Sequence, residues 1–471
     1  MRRREFLSYA GGAAAAGGAG VVSAGGAQLL TIGESLLAPE HLSAKTAKAD
    51  YTLHIAPVSF DITPGQTIKT TGYNGMVPGP LLRMKEGRPV TIDLFNDTDM
   101  PEFLHWHGLF SATSVDGAEE EGSPAIPPHG HRRIILTPKP SGTRWYHTHS
   151  MAMTDMTRGA HNGQYGFLYV EPKSEPGNYD QEVFLAAHHW EPFIIHRPAP
   201  NNDWNIDYKS GSINGYVNGK ALGWGEPIRV KQGQRVLFRL VNADATRTLN
   251  LALPGHRFRV IAMDGNPVPT PREVETLTLG VAERIDAVVE MNQPGVWVMG
   301  APRDQERMMG MRVIIEYEGA MGEPKWVAPP NAGPWDYSIF GKDGTHREPD
   351  GKFEVAFKML EDEGKAFNRW TINGQFWPNV EPLKVKAGKR YRITFRNGME
   401  DGHPVHIHRH SFEIVSINGK PTSGLIKDTF QLPRDGVAEA DFVADNPGLS
   451  LLHCHMQQHM DFGFKMLVKY L

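Results

Sequence analysis

The sequence predicts an all-β protein of three consecutive β-sandwich domains, and three observations predict it. Gly 50 and Pro 35 among 471 residues suit many short strands joined by turns. Apolar residues alternate with period two in short runs, while helical periods are scarce. A unit of glycine, alternating strand and asparagine recurs three times at domain-sized spacing.

The three copies are EGRPVTIDLFN ending at Asn96, QGQRVLFRLVN ending at Asn242 and AGKRYRITFRN ending at Asn397. In each, a glycine (Gly87, Gly233, Gly388) stands nine residues before the asparagine. Between them lie Val90, Ile92 and Leu94; Val236, Phe238 and Leu240; and Tyr391, Ile393 and Phe395, the pattern of a turn followed by a half-buried strand. A second landmark recurs at Gly142, Gly295 and Gly448, in SGTRWYHTH, PGVWVMGAP and PGLSLLHCH. These landmarks define domains at 50–173, 178–320 and 345–471. Linkers rich in proline and glycine are expected near 171–180 and 323–344.

The first 27 residues read as an export signal rather than fold. A basic start holds Arg3-Arg4-x-Phe6-Leu7, a weakly apolar Ala/Gly run follows, and Val22-Ser23-Ala24 offers a cleavage point. That is the form of a twin-arginine signal, which sends folded proteins out of the bacterial cytoplasm into the periplasm or beyond. No later segment reaches about 18 consecutive apolar residues, so no membrane span is expected. A formal net charge of -4 argues against a nucleic-acid partner.

The histidines fall on the repeat. Nine residues after the repeat asparagine stand His105 in the first domain and His406 in the third, followed by His107 and His408. The middle domain has Leu251 and Leu253 there. Five and seven residues after the second glycine stand His147 and His149, then Gly300 and Pro302, then His453 and His455. An H-x-H pair on a strand projects both imidazoles from one face. Four pairs therefore supply eight imidazoles for a metal cluster between the first and third domains. Imidazole suits copper, zinc, iron or nickel, and the zinc spacings C-x-x-C and H-E-x-x-H are absent.

Cys454, the only cysteine, lies between His453 and His455. A lone cysteine builds no disulfide framework, and its neighbours suggest a metal thiolate. Strand alternation points it away from the two histidines, so one tripeptide can serve two metal sites. His403 and His459 complete a two-His, one-Cys set, the trigonal arrangement of electron-transfer copper. The first domain has Glu102, Thr148 and Met153 at the corresponding positions and so no such site.

At this point the chain resembles the three-domain multicopper oxidases, the laccase-like family that includes ascorbate oxidase and bacterial copper-efflux oxidases. The resemblance rests on HWHG, WYHTHS, HPVHIHRH and HCHMQQH and spans about residues 50–471. It implies three cupredoxin-like Greek-key domains and four copper ions per chain. His403, Cys454 and His459 match the type 1 ligands, and His105 and His406 the type 2 ligands. His107, His147 and His455 match one type 3 copper, and His149, His408 and His453 the other. His410 has no ligand counterpart. The implied activity is four one-electron oxidations of a reductant at type 1 copper coupled to reduction of dioxygen to water. Asp116 matches a carboxylate near type 2 copper and is expected to relay protons. Some relatives carry an acid directly after the last type 1 histidine. Here Met460 holds that place and Asp461 is next, a second candidate. Phe464 stands ten residues after Cys454, where an axial methionine is frequent, and it cannot ligate.

A phenolic reductant is the leading expectation for substrate. The groups Met151, Met153, Met156 and Met308, Met309, Met311 raise cuprous ion as the alternative, since thioethers bind it. A copper nitrite reductase would lack the eight-His arrangement, a scaffold homologue would have lost ligands, and a storage protein would need no Cys–His bridge. Both the first and third domains are present in one chain, so a monomer suffices.

Overall fold

The computed structural model describes residues 48–471 apart from 64–65, 175–176, 192–194, 197–209, 331–333 and 362–367. The expected export signal at 1–27 lies outside the described residues. Each repeat builds the same pair of sheets. In the first, Tyr51–Thr63 runs parallel to Val90–Asn96, which pairs antiparallel with Gly130–Leu136. Facing it, Leu104–His107 pairs with Gly142–Thr148, which pairs with Tyr165–Glu171, which lies parallel to Gly79–Lys85.

The middle repeat follows the same connections. Gln181–Trp190, Arg235–Asn242 and Arg284–Glu290 form one sheet's centre. Leu249–Ala252, Val296–Gly300, Arg312–Tyr317 and Ile228–Val230 form the other. In the third, Gly351–Leu360, Arg390–Asn397 and Val437–Val443 face His403–Ile407, Ser450–Cys454, Lys465–Tyr470 and Leu383–Val385. The parallel pairs show that strands cross between sheets, as Greek-key sandwiches require.

Hydrogen bonds explain why the repeat ends in asparagine. Asn96 Nδ2 donates to the carbonyls of Met100 and Ile126, Asn242 Nδ2 to those of Arg247 and Leu279, and Asn397 Nδ2 to those of Asp401 and Pro433. Each side chain pins the loop that carries the chain into the opposite sheet. Each also accepts an amide two residues on, at Thr98, Asp244 and Met399. The repeat glycines Gly87, Gly233 and Gly388 sit at φ of +73°, +81° and +75°, where a side chain would be strained.

Alternating strand residues fill the sandwiches. Ile92, Leu94, Val236, Phe238, Leu240, Ile393 and Phe395 are all buried. Leu251 and Leu253 join the core of the middle domain, so the positions that bear histidine elsewhere are spent there on packing. Among the described residues no helix is long and apolar enough to cross a membrane.

Candidate metal centre

The strand ladders place the histidines in facing pairs. His105 is opposite His147 in the first domain, and His406 is opposite His453 in the third. Rings from the two domains then stack on each other: His105 on His408 with centroids 3.9 Å apart, and His107 on His406 at 3.8 Å. The eight imidazoles thus form one buried cluster between these domains.

Three groups lie within it, each with ligand atoms within 4.8 Å of one another: His105, His107 and His406; His107, His147 and His455; and His149, His408 and His453. Nitrogen faces nitrogen. His406 Nε2 is 3.4 Å from His105 Nε2, and His408 Nε2 is 3.1 Å from His453 Nε2. The outer nitrogens are held differently. His105, His147, His406 and His453 each point Nδ1 at a backbone carbonyl, of Asp116, Thr148, Asp428 and Cys454 respectively. A carbonyl only accepts, so the proton sits on Nδ1 and the lone pair of Nε2 points inward. Burial, and then the neighbouring imidazoles, depress the pKa of His107, His147, His149, His406, His453 and His455. Convergent neutral lone pairs without donors are what a metal ligand set needs.

The second site is built on the strand Ser450–Cys454 and the short helix Gln457–Asp461. Cys454 Sγ is 3.7 Å from His403 Nδ1 and 3.5 Å from His459 Nδ1, and those nitrogens are 3.2 Å apart. Burial holds His403 down at about 4 and raises the Cys454 thiol. A bound cation reverses the latter, since a ligating thiol loses its proton. Cys454 pairs opposite Val405 while His453 pairs opposite His406, so successive residues face different pockets. Phe464 is fully buried beside this set, its ring 5.1 Å from that of His403.

Asp116 contacts the cluster from the short helix Thr113–Asp116. Its Oδ2 lies 2.8 Å from His408 Nδ1 and 3.2 Å from His105 Nδ1, and it accepts from Ser111 Oγ. Burial opposes its ionisation, but His105 and His408 outweigh this and hold the carboxyl well below its usual range. Asp461 is held elsewhere. Its Oδ2 accepts from the amides of Ala152 and Met153, and Gln457 Nε2 donates to it, so it anchors the loop after His149 to the helix bearing His459. His410 is buried outside the cluster, bonded through Nε2 to Tyr470.

Two site residues escaped the sequence reading. Glu121 lies in the run AEEEG, which looks like solvated surface, yet it is buried 3.3 Å from His408 Nδ1 and accepts from Leu451 N at 2.6 Å. Burial, and then the charge of Asp116, push its pKa well up. Asp428 accepts at 3.0 Å from His107 Nε2 and takes a two-pronged bond from Arg284. Arg144 comes within 3.6 Å of the same carboxylate. Arg144, Arg284 and Asp428 belong to the first, second and third repeats, so the middle repeat, which among the described residues gives no side chain to these groups, closes a buried ion network beneath the cluster. Only partners that are distant in sequence mark these positions, and spacing does not show them.

Models of the multicopper oxidase family match residues 55–175, 196–320 and 350–470. Multicopper oxidase MmcO of Mycobacterium tuberculosis is 29% identical, covering 100% of this chain and 96% of that protein. Laccase-4 of Thanatephorus cucumeris is 26% identical, with 89% of each chain covered. The crystal structure of a multi-copper oxidase from Pseudomonas thermotolerans superposes with TM-score 0.68 at 25% identity, covering 90% of this chain and all of that one. Three family modules in sequence, on three sandwiches that bury eight imidazoles and one thiol, place this chain in the multicopper oxidases, copper enzymes that use dioxygen as electron acceptor.

Proposed function

We propose that this chain is a laccase-like oxidase with four copper ions, taking single electrons from phenolic reductants and passing them to dioxygen. His403, Cys454 and His459 would hold the type 1 ion. His105 and His406 would hold type 2. His107, His147 and His455 would hold one type 3 ion, and His149, His408 and His453 the other. The observation that carries this reading is the pair of donor sets joined by one tripeptide: a two-His, one-thiol pocket and an eight-imidazole pocket that share His453–Cys454–His455. Orphaned nitrogens support occupancy, since both ring nitrogens of His149 and of His455 are buried without a hydrogen-bond partner. Copper, when bound, supplies reversible one-electron chemistry at the thiolate site and dioxygen reduction at the imidazole cluster.

The chain's own residues do the rest. The backbone of His453–Cys454–His455 gives a short covalent path between the pockets. The carbonyls on the outer nitrogens fix ring orientation. Forming water consumes protons, and Asp116 is placed to pass them at His408 Nδ1. Glu121, whose Oε2 has no partner, holds a proton beside it. The bonds of Asp461 favour an anchoring role over a relay. Phe464, buried with its ring 5.1 Å from that of His403, offers no donor atom to this pocket, which would favour the cuprous state and a high potential of a bound copper.

Residues 1–27 are proposed as a twin-arginine signal, with 50–173, 178–320 and 345–471 as the cupredoxin domains of an exported monomer. A second reading, oxidation of cuprous ion, has one specific support. Met151 and Met153 are exposed on the loop that Asp461 ties to the helix bearing His459. Oxygen uptake by copper-loaded protein, with a phenol and with cuprous ion as alternative reductants, decides between them. Faster turnover of the phenol supports the laccase-like reading. Faster turnover of cuprous ion overturns it.

A further inference from the structure

Among the described residues the middle repeat gives no side chain to the metal groups, yet its second sheet carries a cavity of its own. A space of about 530 Å³ lies between Thr276–Leu279, the edge strand of that five-stranded sheet, and the strap 329–339 that leads into the third domain. Small-molecule sites span about 300–1,000 Å³, so the size suits a ligand. Pro329, Pro330 and Pro334 line the strap side and fix the backbone φ there. Asp336 ties the strap down, accepting from Ser338 N at 2.9 Å and from Lys420 Nζ at 2.9 Å.

The two walls differ in chemistry. On the strap, the partly exposed indole of Trp335 is backed by the buried rings of Phe340, with centroids 5.3 Å apart, and Tyr337, at 6.4 Å. Tyr337 is itself held, its hydroxyl donating to Glu283 Oε1 at 2.6 Å. Trp335 Nε1 is buried without a hydrogen-bond partner, so the plate carries a spare donor. On the sheet, Thr276 and Thr278 stand two residues apart and share one face, and Asn250 lies opposite Thr278 on the next strand. Thr278 Oγ1 donates to Asn250 Oδ1 at 2.8 Å, so the Asn250 Nδ2 donors and the Thr276 hydroxyl remain for a ligand. At the rim Arg303 and Glu306 face each other at 3.7 Å and cancel in charge.

We propose that this cavity binds a neutral glycan, with a sugar ring lying on the Trp335 indole and its hydroxyls bonded to Asn250 and Thr276. A pyranose with equatorial hydroxyls has this double character. Its face of C–H groups packs on an aromatic ring, and its rim offers donors and acceptors. An aromatic ring in the same place would leave the groups of the sheet wall unpaired, which costs binding energy. The cancelled charges at the rim favour an uncharged ligand. Trp326, nine residues earlier on the chain, is also partly exposed, with the Arg307 guanidinium 3.8 Å over its ring. A second indole before the cavity suits a chain of sugars rather than a single one. The site would hold the oxidase on a polysaccharide whichever reductant the Cys454 pocket takes.

Titration calorimetry of copper-loaded protein with cellohexaose, xylohexaose and mannohexaose tests it, in wild type, Trp335→Ala, Trp335→Tyr and Thr276→Val. The proposal expects binding heat in wild type with at least one of the three. For that sugar, Trp335→Ala weakens affinity about tenfold or more, as loss of an aromatic contact implies, and Trp335→Tyr keeps most of it. Thr276→Val weakens it about threefold through one lost hydrogen bond. Turnover of a methoxyphenol stays the same in all four, since none of these side chains touches the metal groups. A wild type that gives no heat with any of the three sugars overturns the proposal without recourse to a variant. Equal affinity in Trp335→Ala and wild type overturns it as well. Binding of lignosulfonate in place of the sugars, lost in Trp335→Ala, assigns the cavity to an aromatic polymer and overturns the glycan. If Trp335→Ala does not fold, Thr276→Val decides, and an affinity equal to that of wild type sinks the proposal.

Discussion

The first and third domains put the same strands to different uses. Both carry two H-x-H pairs on the same pair of strands, and both give four imidazoles to one cluster. Behind the second pair they diverge. The third domain holds Cys454 with His403 and His459. The first holds Glu102 with Thr148 and Ser150, whose hydroxyls donate to the Glu102 carboxylate at 3.3 and 2.8 Å, and Gln164, whose amide donates at 3.1 Å. A metal pocket and a satisfied carboxyl nest therefore occupy equivalent places. The Glu102 carboxylate is satisfied by hydrogen bonds, whereas Cys454 Sγ and the Nδ1 atoms of His403 and His459 converge as a set that a cation could satisfy. Three side chains separate the domain that adds a two-His, one-thiol pocket from the one that contributes imidazoles alone.

The largest effect should come from erasing that difference. Cys454→Thr, which copies the first domain, is expected to abolish thiolate-to-copper absorption. It should lower oxygen uptake by about 10³-fold or more, because the residues of such a site act as a unit. Spectra and oxygen-electrode rates on copper-loaded protein check both. Retention of most of the turnover would remove the third domain's special role.

Breaking the bridge between domains comes next. Arg284→Ala leaves Asp428 buried against His107 without its two-pronged partner, and such removals cost about 3–5 kcal/mol. Denaturant unfolding of the copper-free protein measures it. A loss under about 1 kcal/mol would mean that the middle domain does not hold the other two through this network.

Asp116→Asn should slow dioxygen reduction by about 10²-fold while anaerobic reduction of the thiolate site stays fast. Rapid-mixing experiments on the two half-reactions separate these. Unaltered reoxidation would move proton delivery to Glu121 alone.

The pH dependence of the copper-free protein has a definite sign. His403 and His408 are held down at about 4 by burial, while an unfolded histidine titrates near 6.5. Between those values the unfolded chain binds more protons, so stability falls as pH drops from about 6.5 to about 4. Copper loading should steepen that slope and carry it below pH 4, because bound imidazoles cannot protonate in the folded protein while unfolding frees them to do so. Unfolding midpoints across this range, with and without copper, test it. A slope unchanged by copper would place the metal elsewhere.

The smallest effect belongs to the first domain. Thr148→Val removes one donor from the Glu102 nest and should cost about 1 kcal/mol while the thiolate band and turnover persist. A lost band would show that the two pockets are coupled.

Much of this comparison was legible in sequence because it depends on spacing. The repeat asparagine, the paired glycines and the H-x-H offsets are local signals of period two, and the strands that carry them follow. The alternation argument at His453–Cys454–His455 needs only three residues. What stayed hidden depends on chain segments that are far apart. Asp428 looks like any strand-end aspartate until Arg284, Arg144 and His107 surround it. Glu121 sits in an acidic run of three glutamates, of which Glu119 is exposed and Glu120 turns inward to Lys465. Trp370 lies far upstream of His459 in a strand with no metal signature, and only folding stacks the two rings.

Electrons gathered one at a time at the Cys454 pocket and delivered together to the imidazole cluster would carry dioxygen all the way to water. The stoichiometry of copper-loaded protein tests it most directly, by counting phenol oxidised against dioxygen consumed with peroxide assayed in the same vessel. The expected ratio is about four phenols per dioxygen with no peroxide, as reduction to water requires. A ratio of about two with peroxide accumulating would contradict it.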